Sequence, residues 1–482
     1  MTERDEGAPG SLTSRTLSGF FWSFSGVGLQ AVLHIVSLAV LARLLTPEDF
    51  GLVGAALVVV MFATIASQMG VGPALVQRQD LNNAHIRVAF SLSMIMSTLL
   101  AIGIWWGAPW IAAFFRMDGL TPVLQIIALI FILQGLGIVG RSILQREMRF
   151  RAIAMLELGS HFMGYAVVGI AMAATGWGVW SLVGAHLVKT LTLSLGALLA
   201  TRHSIVPSLN LVASKQLLFF GSGLSLFQVA NYVANYGDNA IVGRWLGAEG
   251  LGAYERAYQL LIMPATLLGG VVDRVMFPVM SRVQDDPERL GEAFRRSTSL
   301  IALLTLPVSA VIIIAADEIV GLFLGSGWDE VVLPLQILAM GLLFRTSYKI
   351  SDALARATGK VFQSAWRQIV YAAGILIGAY IGQFYGLAGV ATGTLIAIAI
   401  YFLLSAQLAI MICRLSWTDY LKAHTPAFLL TTGVALAAYL GHLLTEFAGL
   451  SLLPNLFIIT SFATLAGLLL ILTGPRHFLG PD

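Results

Sequence analysis

The sequence predicts an all-α polytopic membrane protein of about 14 transmembrane helices, and three observations predict it. Charge is scarce: of 482 residues 57% are hydrophobic and 11% charged, and mean hydropathy is +0.84, where a water-facing domain carries roughly 25% charge. The apolar residues gather in fourteen runs, each near the ~20 residues that a helix needs to cross a bilayer. These runs lack the two-residue alternation of barrel strands, which leaves helices as the structure that satisfies every backbone group in hydrocarbon.

The first run, Leu17 to Leu41, exceeds the apolar core of a signal peptide, about 7–15 residues, and others follow it. It reads as the first span behind a cytoplasmic tail of residues 1–16. Further runs at 51–76, 88–114, 122–143, 152–174 and 177–200 complete an N-terminal half, 17–200. Residues 201–214 are too polar to span and read as an amphipathic linker between two halves. The second half, 215–413, holds runs at 215–243, 251–279, 297–323, 331–355, 361–383 and 386–413. Runs at 424–445 and 451–473 follow within 414–482. The stretches 151–200 and 361–413 read as tight hairpins, turned at Thr175-Gly176-Trp177-Gly178 and Gln383-Phe384-Tyr385-Gly386.

Orientation follows from the basic residues. With the N-terminus cytoplasmic, the opposite loops hold Arg43, Arg116, Arg244 and Arg256, Lys189 lies inside a span, and the remaining 23 of 28 Lys and Arg face the cytoplasm. That bias matches the positive-inside rule and puts both termini of an inner-membrane protein in the cytoplasm. A net charge of +3 gives no nucleic-acid partner. A single cysteine, Cys413, excludes a disulfide framework and a cysteine metal site.

The chain also repeats itself. Arg43-Leu44-Leu45-Thr46-Pro47-Glu48-Asp49-Phe50-Gly51 and Arg244-Trp245-Leu246-Gly247-Ala248-Glu249-Gly250-Leu251-Gly252 share R-x-L-x-x-x-x-[FL]-G, 201 residues apart. Pro73 to Arg78 and Pro278 to Arg282 look alike downstream, as do the turns at Gly176 and Gly386. The element returns after six spans, so both copies have the same orientation and form a parallel pseudo-two-fold repeat, an architecture of transporters that work by alternating access.

Five stretches are similar to one family: residues 41–51 above, Gly70-Val71-Gly72-Pro73-Ala74-Leu75-Val76-Gln77-Arg78, Gln145-Arg146-Glu147-Met148-Arg149-Phe150, Gly176-Trp177-Gly178-Val179-Trp180 and Asp238-Asn239-Ala240-Ile241-Val242-Gly243. Across roughly residues 15–420 the chain resembles the Wzx-type polysaccharide flippases. These form the lipopolysaccharide and exopolysaccharide branch of the multidrug/oligosaccharidyl-lipid/polysaccharide exporter superfamily. The resemblance implies two six-helix lobes around a central cavity plus two peripheral helices. It implies flipping of undecaprenyl-pyrophosphate-linked oligosaccharide, with membrane lipid around the protein and a polysaccharide polymerase and chain-length regulator as candidate partners. No cofactor is expected beyond a coupling proton or sodium ion.

Ionisable groups inside spans are costly and are functional candidates by default. His34 falls in the first span. Gln228, Asn231, Asn235 and Asp238 fall on one face of the seventh, spaced as helix neighbours. That face is expected to line the cavity between the lobes, with Asp238 carrying the coupling ion or else pairing with Arg244 or His34. In the 151–200 hairpin Glu157 and His161 lie one turn apart, as do His186 and Lys189. Glu157 is a second ion candidate, and Lys189 either meets a phosphate or pairs with Glu157. Arg345, Lys349 and Arg141, at cytoplasmic helix ends, suit a pyrophosphate, because guanidinium binds phosphate bidentately. Arg43 and Arg244 are expected to organise their turns with Glu48 and Glu249. Trp105, Trp106, Trp110, Trp177 and Trp180 read as an interfacial belt.

Two other functions compete. A cation-coupled multidrug exporter would share the architecture but favours an acidic cavity. A membrane enzyme of glycan assembly needs a nucleophile with its base, or paired carboxylates, on an extended soluble face, and the loops here are short.

Overall fold

The computed structural model describes residues 12–68, 71–77, 81–208, 211–271, 276–449 and 451–473. All its regular structure among them is helical. The chain divides into two compact units, one of residues 1–45 and 56–228, the other of residues 46–55 and 229–482.

The first unit is built from α1 (Leu12–Leu44), the continuation of α2 (Pro47–Gln68), α3 (Val71–Gln77), α4 (Asn83–Phe115), α5 (Leu120–Ile127), α6 (Leu129–Arg146), α7 (Phe150–His161), α8 (Ile170–Ala174) and α9 (Val179–Thr201). Between α7 and α8 the helix widens to a π-helix over Phe162–Gly169. The 151–200 hairpin is present, turned on Gly176 (φ 80) and Gly178 (φ 52), where a left-handed backbone suits glycine. α6 is the central member. A Cβ added to Gly137 would lie 2.5 Å from Ser194 Oγ, and one on Gly140 2.8 Å from the Ala197 carbonyl. Small residues let helix backbones approach in lipid, and here they bring α9 onto α6.

Within the 201–214 stretch, the segment 202–208 is irregular. It runs along α4, where Arg87 Nε donates to Ser204 Oγ (3.0 Å) and the Ser208 N–H donates to Ser91 Oγ (2.8 Å). His203 packs edge-on against Phe90, and burial lowers its pKa below 6.5.

The second unit starts with the first turns of α2 and continues in the part of α10 (Leu211–Val271) from Val229 onward, which breaks at Gly247 (φ 77, ψ −173). It is completed by α11 (Phe277–Arg282), α12 (Pro287–Ile314), α13 (Ala316–Phe323), α14 (Val332–Met340), α15 (Leu342–Ala357), α16 (Val361–Gly382), α17 (Gly386–Cys413), α18 (Trp417–Lys422), α19 (Thr425–Phe447) and α20 (Leu452–Thr473). The second hairpin, α16 and α17, turns on Gly386 (φ 70) and is locked by glycines. A Cβ on Gly382 would sit 2.3 Å from the Gly389 carbonyl, and one on Gly378 2.7 Å from that of Gly393.

Among the described residues nine helical stretches are long and apolar enough to cross a membrane, or ten if the pair bent by 42° at Gly341 is one span. The hydropathy tally of fourteen is larger for identifiable reasons. The hairpin Val361–Cys413 counts once, α1 enters only as Gly28–Leu44, and the long α10 does not enter. Trp106 and Trp110 are 72% and 74% exposed, and Trp177 58%, the exposure expected of residues that meet lipid or its interface.

Candidate functional site: a polar cavity in the first unit

α4, α6 and α9 are apolar enough to span, yet each carries one polar stripe. On α9 His186, Lys189, Thr190 and Ser194 recur at helical spacing, on α6 Gln134, Arg141, Ser142 and Gln145 do so, and on α4 Ser93 and Ser97. In lipid such stripes must face protein or water. They converge on a cavity of about 570 Å³ inside the first unit. The glycine contacts of α6 bring the stripes together: Gly135, which a Cβ would place 2.7 Å from Ser97 Oγ, lies on the wall.

Two cations stand on this wall, Arg141 and Lys189. Arg141 is half-exposed and lies 3.8 Å from Glu157. Glu157, one of the two alternatives for Lys189, makes its ion pair with Arg141 on α6. Lys189 instead lies with its Nζ 5.8 Å from the centre of the Tyr165 ring. Behind it the structure collects the histidines that the sequence had placed on separate helices. His186 Nδ1 and Tyr165 Oη are 3.0 Å apart. The Tyr165 and His161 rings stack at 4.8 Å with planes 22° apart, and His34 lies 5.3 Å beyond His161. His34, His161, His186, Lys189, Arg141 and Glu157 therefore form one basic locus with a single carboxylate.

Asn231, Asn235, Asp238, Arg345 and Lys349 fall in the second unit. Asp238 is 1% exposed. It accepts the Tyr254 hydroxyl at 2.9 Å and that of Thr394 at 3.4 Å, and the Asn239 N–H at 3.0 Å. These hydroxyls, rather than Arg244 or His34, are its partners. The polar face of the seventh span is divided. Asn231 is exposed and Asn235 donates to it (3.1 Å to Oδ1), whereas Asp238 is enclosed. The Gln228 side chain lies outside the described residues. Arg345, expected near a helix end, is 7% exposed, donates to the Tyr258 hydroxyl and stacks 4.5 Å over that ring, an internal position. Lys349 lies one turn on, partly buried.

The turn before α2 is closed by a capping box, Thr46 N–H and Oγ1 donating to Asp49 Oδ2 (3.0 and 2.9 Å) and the Asp49 N–H to Thr46 Oγ1 (3.3 Å). That reciprocal pair holds the turn, next to Arg43. Arg43 is exposed, and Arg244 lies 5.7 Å over Trp245. Sequence reasoning missed Tyr165, Tyr254, Tyr258 and Thr394. It also missed the serine and glutamine stripes, whose helical period within apolar runs was the available signal.

A model of the polysaccharide biosynthesis protein family matches residues 40–333. The chain is 25% identical over 401 residues to the lipopolysaccharide biosynthesis protein WzxC of Escherichia coli K12, covering 82% of this chain and 81% of that one. Its fold matches the lipid II flippase MurJ in an inward closed conformation with a TM-score of 0.75 at 14% identity, over 93% of this chain and 98% of that one. It also matches an inward-facing multidrug MATE transporter of the MOP superfamily (TM-score 0.63, 21% identity, 80% and 96% coverage). The family match spans more than half of the chain, and the chain belongs to the polysaccharide biosynthesis protein family, built as a multi-pass helical membrane protein with a fold like those of MurJ and the MATE transporter.

Proposed function

We propose that the protein is a flippase for lipid-linked oligosaccharide, carrying an undecaprenyl-pyrophosphate-linked glycan from the cytoplasmic to the outer leaflet of the inner membrane. The observation that carries this reading is the polar cavity among apolar helices, with Arg141 and Lys189 on its wall. A diphosphate cannot cross hydrocarbon unaided, because an isolated charge loses its hydration there. The cavity replaces water with hydroxyls, amides and two cations. The names of WzxC and of the lipid II flippase point the same way.

Alternating access with both termini cytoplasmic follows from the parallel repeat and the distribution of basic residues. Asp238, enclosed by Tyr254 and Thr394 in the second unit, is the group to bind a coupling proton or sodium ion. The polymerase and chain-length regulator of the same glycan are the expected partners. The protein transports and performs no bond chemistry.

The MATE fold match keeps a drug exporter as the second reading. The basic cavity wall disfavours it, since a cationic drug needs an acidic one. The test is a deletion strain that also lacks the glycan polymerase, with a sugar-specific probe applied to spheroplasts. The proposal expects labelling to require permeabilisation in the deletion and to become surface-accessible on complementation. Surface labelling without the protein would turn the search toward drug efflux.

A further inference from the structure

The basic locus of the first unit holds more than a phosphate anchor requires. We propose that Tyr165, His186 and His161 form a proton-binding site linked to the cavity, so that an anionic phosphate ester entering the cavity takes up a proton here. The inference rests on the assignment of that cavity to the head group.

The geometry supplies two positions for a proton on either side of one tyrosine. His186 lines the cavity, and its Nδ1 is 3.0 Å from Tyr165 Oη. With His186 neutral, Nδ1 accepts from the hydroxyl. With His186 protonated, Nδ1–H donates to the hydroxyl oxygen, so this contact accommodates either charge state. His161 lies against the other side of the phenol, its ring stacked on Tyr165 at 4.8 Å. An aromatic face stabilises an adjacent cation. His161 is 2% exposed, and its Nε2 has no hydrogen-bond partner. A buried, unsatisfied ring nitrogen is costly and is the place where added charge can be accommodated only when something else offsets it.

The π-helix starts at the next residue, Phe162. Such widened turns are frequent at functional sites. This one carries Gly164, where a Cβ would meet the Ala185 carbonyl at 2.5 Å and Lys189 Cβ at 2.7 Å. The glycine allows the π-helix to press Tyr165 against α9.

The charged and titratable groups around the site are His34 from α1, Arg141 from α6, Glu157 from α7, and Lys189 from α9 beside His186. α4 contributes only serines to the cavity wall. Among these groups of the described residues Glu157 is the one anion, and Arg141 lies against it. Every further proton therefore works against Lys189 and the other bases until an anion arrives. Phosphate oxygens at Arg141 and Lys189 lower that cost, and linkage makes the effect reciprocal: protonation at His186 and His161 tightens the anion in turn.

The test uses the full-length protein in lipid nanodiscs with farnesyl pyrophosphate as probe. Calorimetry in buffers of different ionisation enthalpy, between pH 6 and 8, gives the protons exchanged on binding. The ligand's own protonation is common to all variants, so the difference between them is the readout. Wild type is expected to take up about one proton more than His186→Gln, so that its affinity gains up to about tenfold per unit fall in pH relative to that variant. Tyr165→Phe and His161→Gln are expected to lose part of this difference, and Gly103→Ala, whose added Cβ meets nothing within 4 Å, none. Equal proton numbers in wild type and His186→Gln, with binding intact, would overturn the proton site and leave the cavity assignment standing. Failure of the probe to bind wild type, itself folded by its thermal transition, would overturn both.

Discussion

Gly51 and Gly252 occupy equivalent positions of the internal repeat and pack reciprocally: a Cβ on Gly51 would lie 1.7 Å from the Ala248 carbonyl oxygen, and one on Gly252 1.8 Å from that of Pro47. Pro47 and Ala248 are themselves equivalent, 201 residues apart like the glycines. The repeated R-x-L-x-x-x-x-[FL]-G stretches thus meet symmetrically where α2 starts and where α10 resumes after Gly247. Phe50 lies 4.6 Å under Arg256 beside this crossing. The glycines of the motif are there for backbone approach.

Gly51→Ala and Gly252→Ala should each destabilise the protein by about 1–3 kcal/mol or more, the usual cost of overpacking, because a backbone carbonyl has no rotamer with which to give way. The double variant should cost less than the sum, since both act on one crossing. Gly103→Ala, with nothing within 4 Å of its added Cβ, should be near neutral. Thermal unfolding in detergent reads all four.

Lys189→Met and Arg141→Gln should each lower flipping about tenfold or more while leaving the thermal transition near wild type, since both groups face the cavity. Glu157→Gln should do the opposite at the binding step. It frees Arg141 from a pair 3.8 Å apart and should tighten a phosphate-bearing probe. Loss of binding in Glu157→Gln would contradict the assignment of the anion to this wall.

Asp238→Asn should fold, because its amide oxygen can still accept the Tyr254 and Thr394 hydroxyls, yet transport should lose its dependence on the ion gradient. Asp238→Ala should in addition lower stability by about 1–3 kcal/mol, the cost of leaving buried hydroxyls unpaired. Transport driven by imposed proton or sodium gradients in vesicles distinguishes the coupling ion.

Arg345→Gln should behave as a structural change. Removing a buried cation from its Tyr258 contact should lower the unfolding temperature, with little effect on the affinity of a phosphate probe. A loss of probe affinity at unchanged stability would restore Arg345 to the substrate path.

His203 gives a pH prediction outside the spans. Its folded pKa lies below 6.5, so below that pH the unfolded chain binds more protons than the folded one. Its contribution to stability is present above pH 6.5 and is lost as pH falls through the folded value. His203→Gln should therefore flatten the fall of the unfolding temperature between pH 7.5 and 5.

Much of the fold was legible because lipid leaves few solutions. Long apolar runs must be helices, and turn glycines such as Gly176 and Gly386 mark the hairpins without ambiguity. The site was legible only in part. The rare charges stood out, so Lys189, His161, His186 and Asp238 were singled out as candidates. Their partners did not, because tyrosine, serine and threonine occur throughout apolar helices and gain meaning only when helices pack. Tyr165 joins three basic residues from two helices, and Tyr254 and Thr394 reach Asp238 from 16 and 156 residues away. Arg345 misled for the reverse reason: helix-end spacing suggested an exposed anchor, whereas tertiary packing gave it a buried ring.

Passage of a lipid pyrophosphate across the bilayer through this cavity, as proposed above, is testable with purified components. The most direct measurement reconstitutes the purified protein in liposomes holding a fluorescent undecaprenyl-pyrophosphate oligosaccharide and follows its leaflet distribution with a membrane-impermeant quencher. Transbilayer movement is expected to run well above that of protein-free liposomes and to be strongly reduced in Lys189→Met. Movement no faster than in protein-free liposomes under either ion gradient, together with protein-dependent export of a lipophilic cationic dye, would contradict it.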